Sequence, residues 1–248
     1  MEQYKNFAFI YDELMNEVDY DGWVKYIEDI IKSENVKVQN ILELACGTGN
    51  MTIPLTKKNY DIAAIDISEE MLSVAKEKAE KEGVELVLLQ QDLAELDFDI
   101  PNLDCILCAC DGFNYITYDD DLEHVFKKSY ELLKKDGLFI FDISSFYKLS
   151  TILGNNMYGE NREDIAYMWQ NYFDEEENLV EMELSFFIKD KDGKFERFEE
   201  VHQQRAYTED EIIDLLKEAG FEYIKTYADF TFESPSGEDE RIFFVCKK

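Results

Sequence analysis

The sequence predicts a doubly wound α/β fold, and three observations carry that prediction. Strand-like and helix-like segments alternate over the first 145 residues. The strand-like segments, such as VQNILEL and LFIFDI, are near-continuous apolar runs, as parallel strands buried on both faces are. A glycine-containing turn joins the first run to the helix after it, where open α/β sheets bind ligands.

Taken in order, the first strand covers residues 38–44 and, after the turn with Gly47 and Gly49, a short helix covers 51–58. The second strand is 61–66, DIAAID. Ser68 caps the next helix, with Glu69 and Glu70 in the first turn where the dipole favours acids, and Gly83 ends it. Strands at 84–90 and 103–110, a helix over about 121–134 and a strand at 138–143 complete the alternating region. The Asp136-Gly137 turn is expected to close that last helix.

Beyond Ser144 the texture changes. IAYMWQNYF, LVEMELSFFI and FERFEEVHQQR are strand-like and are separated by polar turns, the second ending in Asp192-Gly193. They predict an antiparallel β lobe over residues 146–206, inserted into a main domain made of 1–145 and 207–248. Thr208 and Glu211 form a capping box for one more helix, which ends at Gly220. Two final strands follow, from Phe221 to about residue 232 and over 241–246.

The 248 residues carry 25 Lys and Arg against 56 Asp and Glu, a net charge of −31. Nucleic acid and anionic membranes bind through clustered Lys and Arg, so this balance argues against both as partners. No apolar run reaches the roughly 20 residues that span a bilayer. The opening MEQYKNFAFIYDELMNE has no basic stretch leading into an apolar one, which predicts a cytoplasmic protein. Five cysteines, an odd number, predict free thiols. Cys105, Cys108 and Cys110 lie on the fourth strand, where Cys105 would face away from the other two. They read as packed thiols, and no metal site is predicted.

The chemistry concentrates in Glu43-Leu-Ala-Cys-Gly-Thr-Gly-Asn50. Gly47 and Gly49 let the backbone approach a ligand closely. Asp66, at the end of the second strand, is placed to accept from a ribose diol. A nicotinamide dinucleotide would want a third glycine where Thr52 stands, and Glu43 would face its pyrophosphate badly. A phosphate-free, cationic ligand fits better, and S-adenosylmethionine is one. Asp111 and Asn114, in CDGFNYI past the fourth strand, are candidates to orient an amine or hydroxyl. His202, in the last lobe strand, is a candidate proton acceptor.

ILELACGTGN, AAIDIS, LQQDLAEL and LLKKDGLFIFDI together resemble the successive motifs of class I S-adenosylmethionine-dependent methyltransferases, over about residues 36–145. HQQRAYTEDEIIDLLKEAGF resembles the small-molecule subgroup with a β-insert after the fifth strand, and FAFIYDELM with Tyr20 and Trp23 resembles its N-terminal cap. The resemblance implies a Rossmann-like, mostly parallel seven-stranded sheet with an inserted antiparallel β lobe and an N-terminal helical cap. It implies methyl transfer from S-adenosylmethionine to a small-molecule N or O acceptor by in-line displacement. Ala45 and Gly47 would approach the methionine moiety, and Ala45 stands where the family usually has glycine. Asp66 would hold the ribose, Met71 would pack on the adenine, and Asp92 and Leu93 would form the adenine-binding pair. Cys110 would lie near the cofactor backbone, Tyr11 would sit in a lid near the sulfonium, and Trp23 of the cap would also bind the cofactor. A catalytically silent S-adenosylmethionine-binding module and an NAD-dependent oxidoreductase are the alternatives.

Overall fold

The structure, a computed structural model, describes residues 7–97 and 102–248. Helices α1 (Ala8–Leu14) and α2 (Tyr20–Ser33) come first. The alternating region runs β1 (Asn40–Leu44), α3 (Thr52–Lys57), β2 (Asp61–Asp66), α4 (Glu69–Glu82), β3 (Val87–Gln90), β4 (Leu103–Cys108), α5 (Asp119–Leu132) and β5 (Leu133–Ser144). Then come β6 (Met157–Asn161), β7 (Ile165–Asp174), β8 (Leu179–Lys189), β9 (Phe195–Arg205), α6 (Glu209–Ala219), β10 (Tyr223–Ala228) and β11 (Arg241–Lys247).

Seven strands form one sheet in the order β10-β11-β5-β4-β1-β2-β3. β1 to β5 pair in parallel, and β11 runs antiparallel to both of its neighbours. The doubly wound expectation holds, with one reversed strand. The order turns between β1 and β4, so a crevice opens there at the carboxyl ends of the strands.

Alternation along each strand feeds two apolar layers. Phe139, Phe141 and Ile143 of β5 pack with α5 and α6 through Phe126, Ile212 and Leu216. Leu138 and Ile140 face the other way, onto Ile27 and Ile30 of α2. Helix ends follow the local chemistry. Ser68 accepts from the Met71 amide, and Gly83 closes α4 in the left-handed conformation. Thr208 and Glu211 cap α6 reciprocally.

The strands expected at 84–90 and 221–232 are shorter, at Val87–Gln90 and Tyr223–Ala228, and two other boundaries differ for physical reasons. The strand expected to reach residue 110 ends at Cys108, because Cys110 and Asp111 both take positive φ, +63° and +54°. Side-chain alternation stops there, so Cys110 packs into the same layer as Cys105, not opposite it. The Asp136-Gly137 turn lies inside β5. Leu133 already pairs with Leu103, and a register shift before Cys105 absorbs the turn.

β6 to β9 form a second, antiparallel sheet. Three of its strands match the three strand-like stretches to within a residue. β6 was not anticipated, since MYGEN is exposed throughout and carries no apolar alternation.

Thr208→Ala removes the side-chain half of the α6 capping box and leaves the residue 208 amide donating to Glu211. It should destabilise the protein by about 1 kcal/mol, a fall in Tm of about 2–4 °C for a chain of this size. Thermal melts of the two proteins check this.

Candidate functional site

A cavity of about 800 Å³ lies at the carboxyl ends of β1, β2, β4 and β5. The residues at its floor owe their conformation to the strand-to-helix turn after β1. Ala45 and Gly47 take positive φ, +52° and +54°. A left-handed alanine costs about 1–2 kcal/mol, so Ala45 stores strain where glycine would not. A Cβ built on Gly47 meets no atom within 4 Å, so Gly47 presents bare backbone to the cavity. Gly49 serves a different purpose. It faces α4, where a Cβ would come within 3.2 Å of the Ala75 Cβ, and it does not line the cavity.

Glu43 of β1 is 2% exposed, and its Oε2 has no hydrogen-bond partner among the described residues. Burial, aided by the nearby Asp66 charge, pushes its carboxyl up to about 8. Asp66 ends β2 and accepts from the Gly47 amide at 2.7 Å and the Ser68 amide at 2.9 Å. Burial raises its pKa, and these two bonds oppose the rise. Met71, in the first turn of α4, is buried against the cavity. Asp92 caps the short turn Leu93–Glu95 by accepting from Ala94 N at 2.9 Å, and both Asp92 and Leu93 line the cavity.

Helix α1 lies over this floor. Asp12 accepts from Thr48 Oγ1 at 2.7 Å and Asn50 Nδ2 at 3.0 Å, and pairs with Lys78 at 2.7 Å. At the other end of α1, the Phe7 amide donates to Glu200 Oε1 at 3.3 Å, and its ring packs on Phe186. The helix thus ties the glycine turn to the second sheet. Tyr11 lines the cavity, and burial holds its phenol well above the usual range. Tyr20 is likewise pushed up to about 12 by burial. Trp23 reaches the cavity with one edge and packs on Phe230 and Phe243.

The turn after β4 is held by a buried ion network. Asp142 of β5 accepts from the Cys110 amide at 2.8 Å and the Asp111 amide at 3.0 Å, and it pairs with Arg241. Arg241 also reaches Asp111 at 2.9 Å and lies over the Trp23 ring. Burial works against Asp111 ionising, but the charges of Arg241 and Lys148 hold its carboxyl below the usual range. Gln204 of β9 donates to the other Asp111 oxygen at 3.1 Å. Sequence reasoning missed Asp142 and Arg241. The available signal was an acid inside the apolar run LFIFDI.

The inner face of β9 supplies His202 and Gln204, both buried and both lining the cavity. His202 Nε2 lies 3.2 Å from Glu200 Oε2. Asn114 does not reach the cavity. Its amide donates to Ser144 O and Arg205 O and accepts from Ser144 N, which joins the end of β5 to the end of β9. The structure therefore gathers Tyr11, Trp23, Glu43, Ala45, Gly47 and Asp66 with Met71, Asp92, Leu93 and Cys110 around one cavity. Asp111 and His202 join them, and Gly49 and Asn114 stay outside.

Comparisons with known proteins agree with this geometry. Residues 41–137 match the model of a methyltransferase domain. A protein of Geobacillus sp. (strain WCH70), named as a methyltransferase, is 39% identical over 99% of both chains. A glycine/sarcosine N-methyltransferase of Aphanothece halophytica is 25% identical over 100% of this chain and 90% of its own. The crystal structure of an S-adenosylmethionine-dependent methyltransferase from Clostridium acetobutylicum ATCC 824 superposes with a TM-score of 0.89. It is 38% identical and covers 98% of each chain. The chain belongs to the class I S-adenosylmethionine-dependent methyltransferases.

The cavity residues fit that cofactor. A buried carboxylate with one oxygen unpartnered among the described residues, two further acids and bare glycine backbone suit an amine, a sulfonium and a ribose, and would repel a pyrophosphate.

A cation beside Glu43 favours its ionised form, so cofactor binding should release a proton. With the free-protein value near 8, affinity should rise with pH up to about 8 and level off above it. Glu43→Gln should weaken binding at least ~10-fold at pH 8 and flatten that pH dependence. Isothermal titration of S-adenosylmethionine between pH 6 and 9 measures both.

Proposed function

We propose that the protein transfers a methyl group to an amine nitrogen of a small molecule. The carrying observation is His202, on the inner face of β9 in the same cavity as the glycine turn, with Glu200 Oε2 3.2 Å from its Nε2. An amine is protonated at neutral pH and must shed a proton to become a nucleophile. An ammonium is a far stronger acid than an alcohol, so an imidazole backed by a carboxylate serves a nitrogen much better than an oxygen. The glycine/sarcosine N-methyltransferase relative acts on nitrogen, as its name states, which supports this reading. A cavity of about 800 Å³ lies within the range that small molecules occupy.

S-adenosylmethionine, when bound, supplies a methyl group already activated on a sulfonium. The rest of the work falls to this chain. Asp66 holds the ribose, Asp92 and Leu93 the adenine, and Glu43 with the Ala45–Gly47 backbone the methionine end. Met71, Tyr11, Trp23 and Cys110 wall the site. Asp111 attracts the acceptor's ammonium, and His202 takes the proton that the nitrogen loses. The site would then hold the free nitrogen lone pair in line with the activated methyl carbon, with the sulfonium as the group that would keep the leaving electron pair. Residues 146–206 form a lobe that, with α1, keeps water out and aligns the acceptor.

Release of S-adenosylhomocysteine with primary and secondary amines tests the reading. His202→Ala should lower kcat about 10²- to 10⁴-fold at pH 7. The deficit should shrink as pH rises, because free amine then forms without help. An unchanged kcat across pH 7 to 9.5 would remove His202 from the mechanism. Turnover of hydroxyl acceptors alone would remove nitrogen.

A further inference from the structure

The cavity that carries the acids also carries a lysine that is not locked in an ion pair, although its charge bears on Asp111. Lys148 lines it and forms no ion pair among the described residues. It stands at the start of the turn Lys148–Leu153, right after β5. Arg241, the basic side chain paired with Asp111, is taken up by two carboxylates.

One group in the same wall does lack an answer. Trp169 of β7 lines the cavity, and its indole Nε1–H is buried with no acceptor among the described residues. A buried donor left without an acceptor costs about 1–3 kcal/mol, which a ligand oxygen would recover. Trp169 and Leu153 pack on the same small apolar cluster as Leu149, the residue next to Lys148. The two donors therefore belong to segments that meet at one patch.

The positions of these groups define a molecule. Trp169 pairs across the sheet with Leu184, and Leu184 pairs with Glu200. Two strand spacings, about 10 Å, thus separate the indole-bearing strand from the Glu200–His202 strand. Asp111 and His202 in the wall suit an ammonium. Lys148, within electrostatic reach of Asp111, and the indole N–H two strands from β9 suit an anion. One positive charge and one neutral donor match a planar monoanion. A phosphate dianion would call for the several cations that this cavity lacks among its described residues.

We infer that the methyl acceptor is an amino acid-like zwitterion, whose carboxylate is seated by Lys148 and the Trp169 indole N–H while its amine faces Asp111 and His202. This rests on the reading of the protein as an N-methyltransferase and names the substrate class for it. Lys148 is a binding and specificity residue and takes no proton in the transfer.

The test compares free amino acids with the amines left when their carboxylate is removed, reading S-adenosylhomocysteine release by the full-length protein. At least one amino acid should exceed its decarboxylated counterpart 10-fold or more in kcat/KM. Lys148→Ala should lower kcat/KM for that amino acid at least 10-fold more than for the counterpart, mainly through KM. Lys148→Arg should restore part of the preference. Trp169→Phe should raise KM for the amino acid several-fold with the pH profile of kcat unmoved. Titration of S-adenosylhomocysteine into each variant confirms that it is folded. Equal methylation of amines with and without a carboxylate would overturn the zwitterion inference and leave the N-methyltransferase reading standing. Methylation of neither kind would overturn both.

Discussion

Asp142 is fully buried in β5, yet the shape of the site depends on it. Its two oxygens take the amides of Cys110 and Asp111, consecutive residues held at positive φ. Each such residue costs about 1–2 kcal/mol, so the turn keeps this shape only while something outside it fixes the geometry. A carboxylate this deep is tolerable because Arg241 answers it. Removing either partner of such a pair leaves an uncompensated charge, at a cost on the order of 3–5 kcal/mol. From Arg241 the network passes to Asp111, and from Asp111 to Gln204 of the second sheet. Strand β5, strand β11, the turn after β4 and strand β9 meet at one buried charge. The same guanidinium lies on Trp23, which brings in α2.

The acids around the cavity work locally, and the charge of the whole chain does not. A net charge of −31 sets up a field that salt screens within about 8–10 Å. It speaks to solubility and to repelling polyanions. Glu43 and Asp66 act at contact distance and in low dielectric, where an unpaired carboxylate is costly and a cation relieves that cost. Burial has made Glu43 hard to ionise in the free protein. A positively charged cofactor reverses that balance, which ties recognition of the cofactor to its charge as well as its shape.

What was legible in the sequence was what neighbours in the chain decide. Ser68 with Gly83, and Thr208 with Glu211 and Gly220, mark helix ends by contacts within a few residues, and each was readable. Glu43, Gly47 and Asp66 were readable because one strand–turn–helix–strand unit contains all three. Asp142 and Arg241 were not. They meet only because β5 and β11 pair antiparallel, placing Asp142 opposite Phe243, and nothing local to either residue marks it. Cys110 was assigned to the wrong layer because two positive-φ residues end the alternation that the assignment used. Gly49 and Asn114 were placed near the ligand by their position in the chain. Their side of the turn is decided by Ala75 in one case and by the ends of β5 and β9 in the other.

Asn114 gives that second sheet its meaning for function. Its one amide holds both Ser144, where the chain leaves the main sheet, and Arg205, where it comes back. Entry and exit are thereby side by side. The length of chain between two adjacent anchors changes the closure entropy only slowly, so everything from β6 to β9 is free to differ without disturbing the parallel strands. The proposed division of labour follows that seam. Glu43, Gly47, Asp66 and Asp92 sit at the strand ends and turns of the main sheet, where a constant cofactor needs a constant frame. Lys148, Trp169 and His202 all come from the stretch between the anchors. Asp111 is the exception on the acceptor side, and it is held by Arg241 from the main sheet and Gln204 from the second. On that proposal the acceptor's nitrogen meets the frame that positions the methyl group through a residue that both sheets hold in place.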